Sequence, residues 1–172
     1  QGMINDLIER SDFLVGENLE GEIAEIKNKN VNAIARLISA AENCPEKHSG
    51  ILKEVKELAS KSETPVLGIT GTGGAGKSSL VDELVRRFIV DFPKKNIAIV
   101  SVDPSKRKTG GALLGDRIRV ADLNLNENVF IRSMGTRGSG GGLNLVVGIT
   151  VDLFAAFGFD IVIVESVGVG QI

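Results

Sequence analysis

The stretch GTGGAGKSS, Gly71 to Ser79, constrains the fold more than any other part of the chain. Gly71, Gly73 and Gly76 spell the G-x-G-x-x-G of a dinucleotide site, while Gly71, Gly76, Lys77 and Ser78 spell the G-x-x-x-x-G-K-[ST] of a P-loop. Either pattern needs a strand before it and a helix after it. VLGIT precedes and LVDELVRRF follows, so the turn context fits both. Asp103 also sits where a ribose-binding acid is conceivable, though beyond the usual offset of about 20 residues. Lys77 followed by Ser78 decides for the P-loop. At the first turn of a phosphate-binding helix, a lysine brings a point charge to the phosphates and a serine hydroxyl can ligate the Mg²⁺ between them. A dinucleotide site needs neither. The nucleotide-binding residues are accordingly expected to be Gly71, Thr72, Gly73, Gly74, Ala75, Gly76, Lys77, Ser78 and Ser79.

The rest of the chain supplies the expected scaffold. From residue 63 to 172, short apolar runs alternate with helical segments, the pattern of a mainly parallel sheet flanked by helices. Strands are expected over Val66 to Thr70, Ile97 to Val102, Val129 to Ser133 and Ile161 to Glu165. Helices are expected over Lys77 to Asp91, Leu113 to Leu123 and Leu143 to Phe157. Residues 1–62 read as a separate helical segment, with apolar positions at helical spacing between Glu20 and Ala41 and again at Ile51, Val55 and Leu58. This segment is either a linker or arm toward a partner, or a helix pair packed on its own domain. Cys44 and His48 have a spacing found in metal sites, but two ligands do not make one.

Acids and glycines near the strand ends carry the remaining chemistry. Glu165 closes an apolar strand in IVIVESVGVGQ, where a metal-organising carboxylate of a P-loop enzyme belongs. Gly168, three residues on, can offer its backbone N–H to a terminal phosphate. Asp103 ends the second strand, and Asp116 in LLGDRIR lies further along the same crossover. With Ser78 these acids form the hard, oxygen-rich set that Mg²⁺ prefers. The alternative for Asp116 is a solvent-facing helix cap. Lys106, Arg107 and Lys108 are either a solvated loop or an anion-steering patch. From Ser133 to Gly142 five of ten residues are glycine, which predicts a loop.

Composition narrows the classes. A 172-residue chain with 42% hydrophobic residues can bury one core, and a net charge of −2 gives no global pull toward nucleic acid or anionic membrane. A single cysteine rules out an internal disulfide framework. With no basic-plus-apolar start and no run near the roughly 18 apolar residues of a membrane span, the expectation is a cytoplasmic protein.

Taken together, GTGGAGKSSL, VDPSKRKTGGALLGDRIR, VFIRSMGTRGSGG, GFDIVIVE and ESVGVGQ resemble the MeaB/ArgK family, P-loop G proteins that chaperone adenosylcobalamin-dependent acyl-CoA mutases. Within it the chain looks more like the G domain of a fused acyl-CoA mutase, of the isobutyryl-CoA mutase type, than like a free-standing chaperone. The resemblance implies a Mg²⁺-dependent GTPase that gates cofactor loading of such a mutase, with GTP or GDP as ligand and adenosylcobalamin involved only through the mutase. It makes Lys77, Glu165 and Gly168 the catalytic set, and Ser78, Asp103, Asp116 and Glu165 the metal set, with Asp116 in a first switch and Gly168 in a second. Ser133, Gly135, Arg137 and Gly140 fall in the family's third switch, which couples to the mutase. A homodimer is expected. No [NT]-K-x-D guanine motif occurs, so the G domain is expected to be incomplete at its C-terminus. Competing readings are a free-standing chaperone GTPase, a P-loop ATPase or kinase, and a GTP-sensing interaction module with negligible hydrolysis.

Overall fold

A computed structural model describes Leu19 and residues 21–26, 30–103, 126–135 and 145–166. After a short 3₁₀ turn at Ala24–Ile26 come α1 (Val31–Asn43), α2 (Ser49–Ala59), β1 (Val66–Ile69), α3 (Lys77–Asp91), β2 (Ile97–Asp103), β3 (Val129–Gly135), α4 (Leu145–Ala156) and β4 (Ile161–Glu165). The four strands are all parallel and lie in the order β1-β4-β2-β3. Helices cover both faces, as buried parallel strands require.

The expected boundaries of α3 and β4 match those observed, whereas β2 and β3 run further. β3 continues through Gly135 because Ser133, Met134 and Gly135 pair in register with Ser101, Val102 and Asp103. Two candidates assigned to the glycine-rich loop, Ser133 and Gly135, are thus part of the sheet. The expected helical run from Glu20 to Ala41 is interrupted. Asn30 adopts an extended conformation and its side chain accepts from Asn32 N at 3.0 Å, a cap that starts α1 at Val31. The preceding turn is held against α1 by Arg36, whose Nε and Nη2 donate to the two Glu22 carboxylate oxygens at 2.6 and 2.9 Å. That bond to Glu22 raises the Arg36 pKa above its ordinary value. The expected helix over Leu113 to Leu123, the basic run and the loop beyond Gly135 lie outside the described residues.

Strand alternation sorts the sheet into two faces. Ala98, Val100, Val102, Met134, Val162 and Val164 point to one side, where they share a core with Ile34, Leu37 and Ile38 of α1, Val55 of α2 and Leu153 and Phe154 of α4. The N-terminal helices therefore pack on the sheet domain. Helix α4 is apolar over most of its circumference and lies between this sheet face and the α1–α2 pair. Phe154 stacks edge-on with Phe130 and Phe159, with centroids 5.3 and 5.2 Å away. On the other face Ile97, Ile99 and Ile163 meet Val81 and Val85 of α3.

Candidate phosphate site

The loop between β1 and α3 is shaped by its glycines. Gly74 and Gly76 have φ of 77° and 80°, a left-handed backbone that most side chains disfavour. Gly76 caps α3 and starts it at Lys77, so the first helical amides stand at the C-terminal edge of the sheet. A helix N-terminus with its unsatisfied amides and positive dipole end is an anion site. Over this loop the Lys77 ammonium folds back, donating to Gly71 O at 3.1 Å and Thr72 O at 3.0 Å. It is held by carbonyls that a phosphate oxygen can replace.

Ser78, the next residue, points across to β4. Its hydroxyl donates to Glu165 Oε1 at 2.6 Å, joining two residues 87 positions apart. Glu165 is 9% exposed, at the end of the strand that pairs with both β1 and β2. Charge buried to that degree requires partners, and a hydroxyl plus a cation are suitable ones. Asp103 ends β2 at the same edge of the sheet, where its backbone pairs with Gly135.

The structure thus brings together Lys77, Ser78 and Glu165 around the N-terminus of α3, with Gly71, Thr72, Gly73, Gly74, Ala75, Gly76 and Ser79 forming the loop and first turn. Asp116, Arg137, Gly140 and Gly168 lie outside the described residues. Cys44 follows α1 and His48 precedes α2, both in the α1–α2 connection, apart from these residues in the sequence and in the fold.

The profile of a family described as methylmalonyl-CoA mutase-associated GTPase MeaB matches residues 34–172. The chain belongs to the MeaB family. It is 46% identical to a fused isobutyryl-CoA mutase of Geobacillus kaustophilus over 99% of its own length and 16% of that protein. A fused isobutyryl-CoA mutase of Cupriavidus metallidurans is 44% identical over the same shares. A Pyrococcus horikoshii protein named as a GTPase is 41% identical over 87% of the chain and 46% of that protein. Among solved structures, a LAO/AO transport system kinase superposes with a TM-score of 0.65 at 27% identity, covering 89% of this chain and 44% of the other. The chain therefore spans about half the length of the smaller relatives and about a sixth of the fused ones. The matched span contains the P-loop, all four strands and Glu165.

Proposed function

We propose that this chain is the nucleotide-binding part of a Mg²⁺-dependent GTPase that gates cofactor loading of an adenosylcobalamin-dependent acyl-CoA mutase, as a domain of a fused mutase. The observation that carries the reading is the 2.6 Å bond between Ser78 Oγ and Glu165 Oε1 beside the P-loop. A serine hydroxyl that donates its hydrogen bond to a carboxylate keeps its lone pairs for a cation. In this reading the pair forms one edge of the metal site. Ser78, Glu165, Asp103 and Asp116 would hold Mg²⁺, which supplies charge neutralisation at the triphosphate when bound.

The protein's own groups divide the work. The loop amides from Gly71 to Ser79 bind phosphate oxygens, and Lys77 exchanges its two carbonyl partners for the phosphates. Glu165 fixes the Ser78 hydroxyl and orients water at the acid end of the site. Gly168 offers a backbone N–H to the terminal phosphate, and Ser133, Gly135, Arg137 and Gly140 form the route toward the mutase. In this reading residues 63–172 are the N-terminal part of the GTPase core, and residues 1–62 are the helical segment entering it. The functional protein is a cytoplasmic homodimer that uses neither nucleic acid nor membrane. Among the described residues no helix is long and apolar enough to cross a membrane.

A kinase or ATPase reading has one observation in its favour, the likeness to a solved structure titled a transport system kinase. Binding of GTP and ATP with Mg²⁺, followed by phosphate release with and without the mutase, separates the two. The GTPase reading expects GTP preference and faster release with the mutase. Preference for ATP sinks it.

A further inference from the structure

The alternation that places Glu165 on the α3 side of β4 places two more polar residues on that side. In β4, Ile163 faces α3, so Glu165 two residues later does too, as its bond to Ser78 shows. In β2, Ile97 and Ile99 face α3, and Ser101 continues that series. In β3, Val129 and Ile131 pack toward the same cluster, and Ser133 continues it. The register makes these positions neighbours. Ile69 pairs with Glu165, Glu165 with Ser101, and Ser101 with Ser133, one row across all four strands.

Adjacent strands lie about 4.8 Å apart, so the Ser101 hydroxyl stands within reach of the Glu165 carboxylate through one water. Neither Ser101 nor Ser133 makes a side-chain hydrogen bond to another described residue, and both are half-buried. Glu165 Oε1 accepts the Ser78 hydrogen bond, while Oε2 has no protein partner among the described residues. The edge strand at the far end of the row is itself fixed. On its opposite face, Arg132 Nη2 donates to Glu42 Oε2 of α1 at 2.5 Å. Among the described residues, a hydroxyl without a partner on Ser101 beside a Glu165 oxygen without one, with the Ser133 hydroxyl next along the row, is a matched set.

We propose that Ser101 is a positioning residue for Glu165: its hydroxyl holds a water against the second carboxylate oxygen, and Ser133 extends the row to the strand that leads into the glycine-rich segment. The inference rests on the functional reading above. It adds a residue whose effect passes through Glu165 without touching the phosphates. The ordinary alternative, a serine that merely tolerates a half-buried strand position, leaves Mg²⁺ dependence untouched when the hydroxyl is removed.

The test uses the intact native protein with Ser101→Ala, Ser101→Thr and Ser101→Val. Three quantities are measured: the Mg²⁺ concentration for half-maximal binding of a non-hydrolysable GTP analogue, the hydrolysis rate, and the melting temperature. Loss of one water-mediated hydrogen bond should raise the Mg²⁺ requirement about 3- to 10-fold in the alanine and valine variants and slow hydrolysis by a similar factor. Threonine, which keeps the hydroxyl, should restore both to within about twofold, with melting temperatures close together across the series. An unchanged Mg²⁺ requirement in Ser101→Ala, or valine performing as well as threonine, overturns the role of Ser101 alone. Absence of Mg²⁺-dependent guanine-nucleotide binding in the unsubstituted protein overturns the functional reading and this inference together.

Discussion

The two faces of the sheet are built for different purposes. On the α1, α2 and α4 face, the core runs continuously from Leu37 through Phe154 to Val164, with most of its members fully buried and the rest half-buried around them. On the α3 face, the fully buried cluster is smaller, Val81, Val85 and three strand isoleucines with half-buried apolar residues around them, while Leu80, Leu84, Val90 and Phe92 of α3 and the segment after it remain exposed. The same face ends in Glu165, Ser101 and Ser133, polar groups that burial alone would disfavour. The larger buried core lies on one side and the candidate phosphate site on the other. Substitutions on the two faces should therefore separate folding from ligand binding.

The largest expected effect comes from Phe154→Ala. The ring is fully buried and touches Phe130 and Phe159, so truncation removes transfer energy and leaves a cavity, about 3–5 kcal/mol. That is a large share of the 5–15 kcal/mol typical of a domain. Chemical denaturation should show a much lower midpoint with an unchanged slope. A loss below about 1 kcal/mol would mean that the helical face is not the stabilising one.

Lys77→Ala tests the other side. Among the described residues its ammonium bonds to the carbonyls of Gly71 and Thr72, so the empty protein should melt as before. The unsubstituted protein should gain about 2.7 kcal/mol with nucleotide at a hundredfold above its dissociation constant, and the variant almost nothing. A full ligand-induced shift in the variant would move the phosphate site away from this loop.

The two faces were also unequally legible in the sequence. The loop, α3 and β4 could be read almost to the residue, because glycines at left-handed positions, a lysine at the first helical turn and an uninterrupted apolar strand are local signals. Long-range pairing is not local. Nothing in the run from Ile97 or Ile161 says that β4 lies between β1 and β2, and without that order the Ser78–Glu165 bond and the Glu165–Ser101–Ser133 row are invisible. Ser101 was missed altogether, because IAIVSVD reads as an apolar run and only the observed faces and register put Ser101 beside Glu165. Periodicity also overran at the N-terminus, where apolar spacing continues through Asn30 although its side chain caps a new helix. Asp116, Gly168, Arg137 and Gly140 rest on the resemblance to the family, and their placement falls outside the described residues.

A smaller and more selective effect is expected at Glu165→Gln. The amide keeps the size of the side chain and can still accept from Ser78, so nucleotide affinity should fall only a few-fold. If Glu165 has the proposed role, hydrolysis should fall on the order of a hundredfold, because the charge it supplies to the site has been neutralised. Ser78→Ala should act differently, raising the Mg²⁺ requirement for binding. Rapid-quench measurement of a single turnover beside equilibrium binding separates the two, and equal losses in affinity and rate for the Glu165 variant would reduce that acid to a structural role.

The smallest effect probes a flaw in the stabilising face. Asp152 lies on α4 against α2, and burial holds its carboxyl above the ordinary value of 3.8, with Lys56 pulling the other way. A raised pKa means that the folded chain binds this proton more tightly than the unfolded chain does. The resulting stabilisation is fully present below the unfolded value and is lost as pH rises through the folded one. At neutral pH the ionised carboxylate is therefore a liability that an amide lacks. Asp152→Asn should stabilise the protein slightly at pH 7, the effect being reduced by solvent screening at this partly exposed site, and the advantage should shrink as pH falls toward 4. Lys56→Met, by removing the compensating charge, should make the native chain less stable at pH 7 and enlarge the gain from Asp152→Asn. Melting temperatures of the four proteins between pH 4 and 7 decide the matter: an advantage that grows on acidification would mean that Asp152 is stabilised as the anion, and that the helical face tolerates charge as well as the phosphate face does.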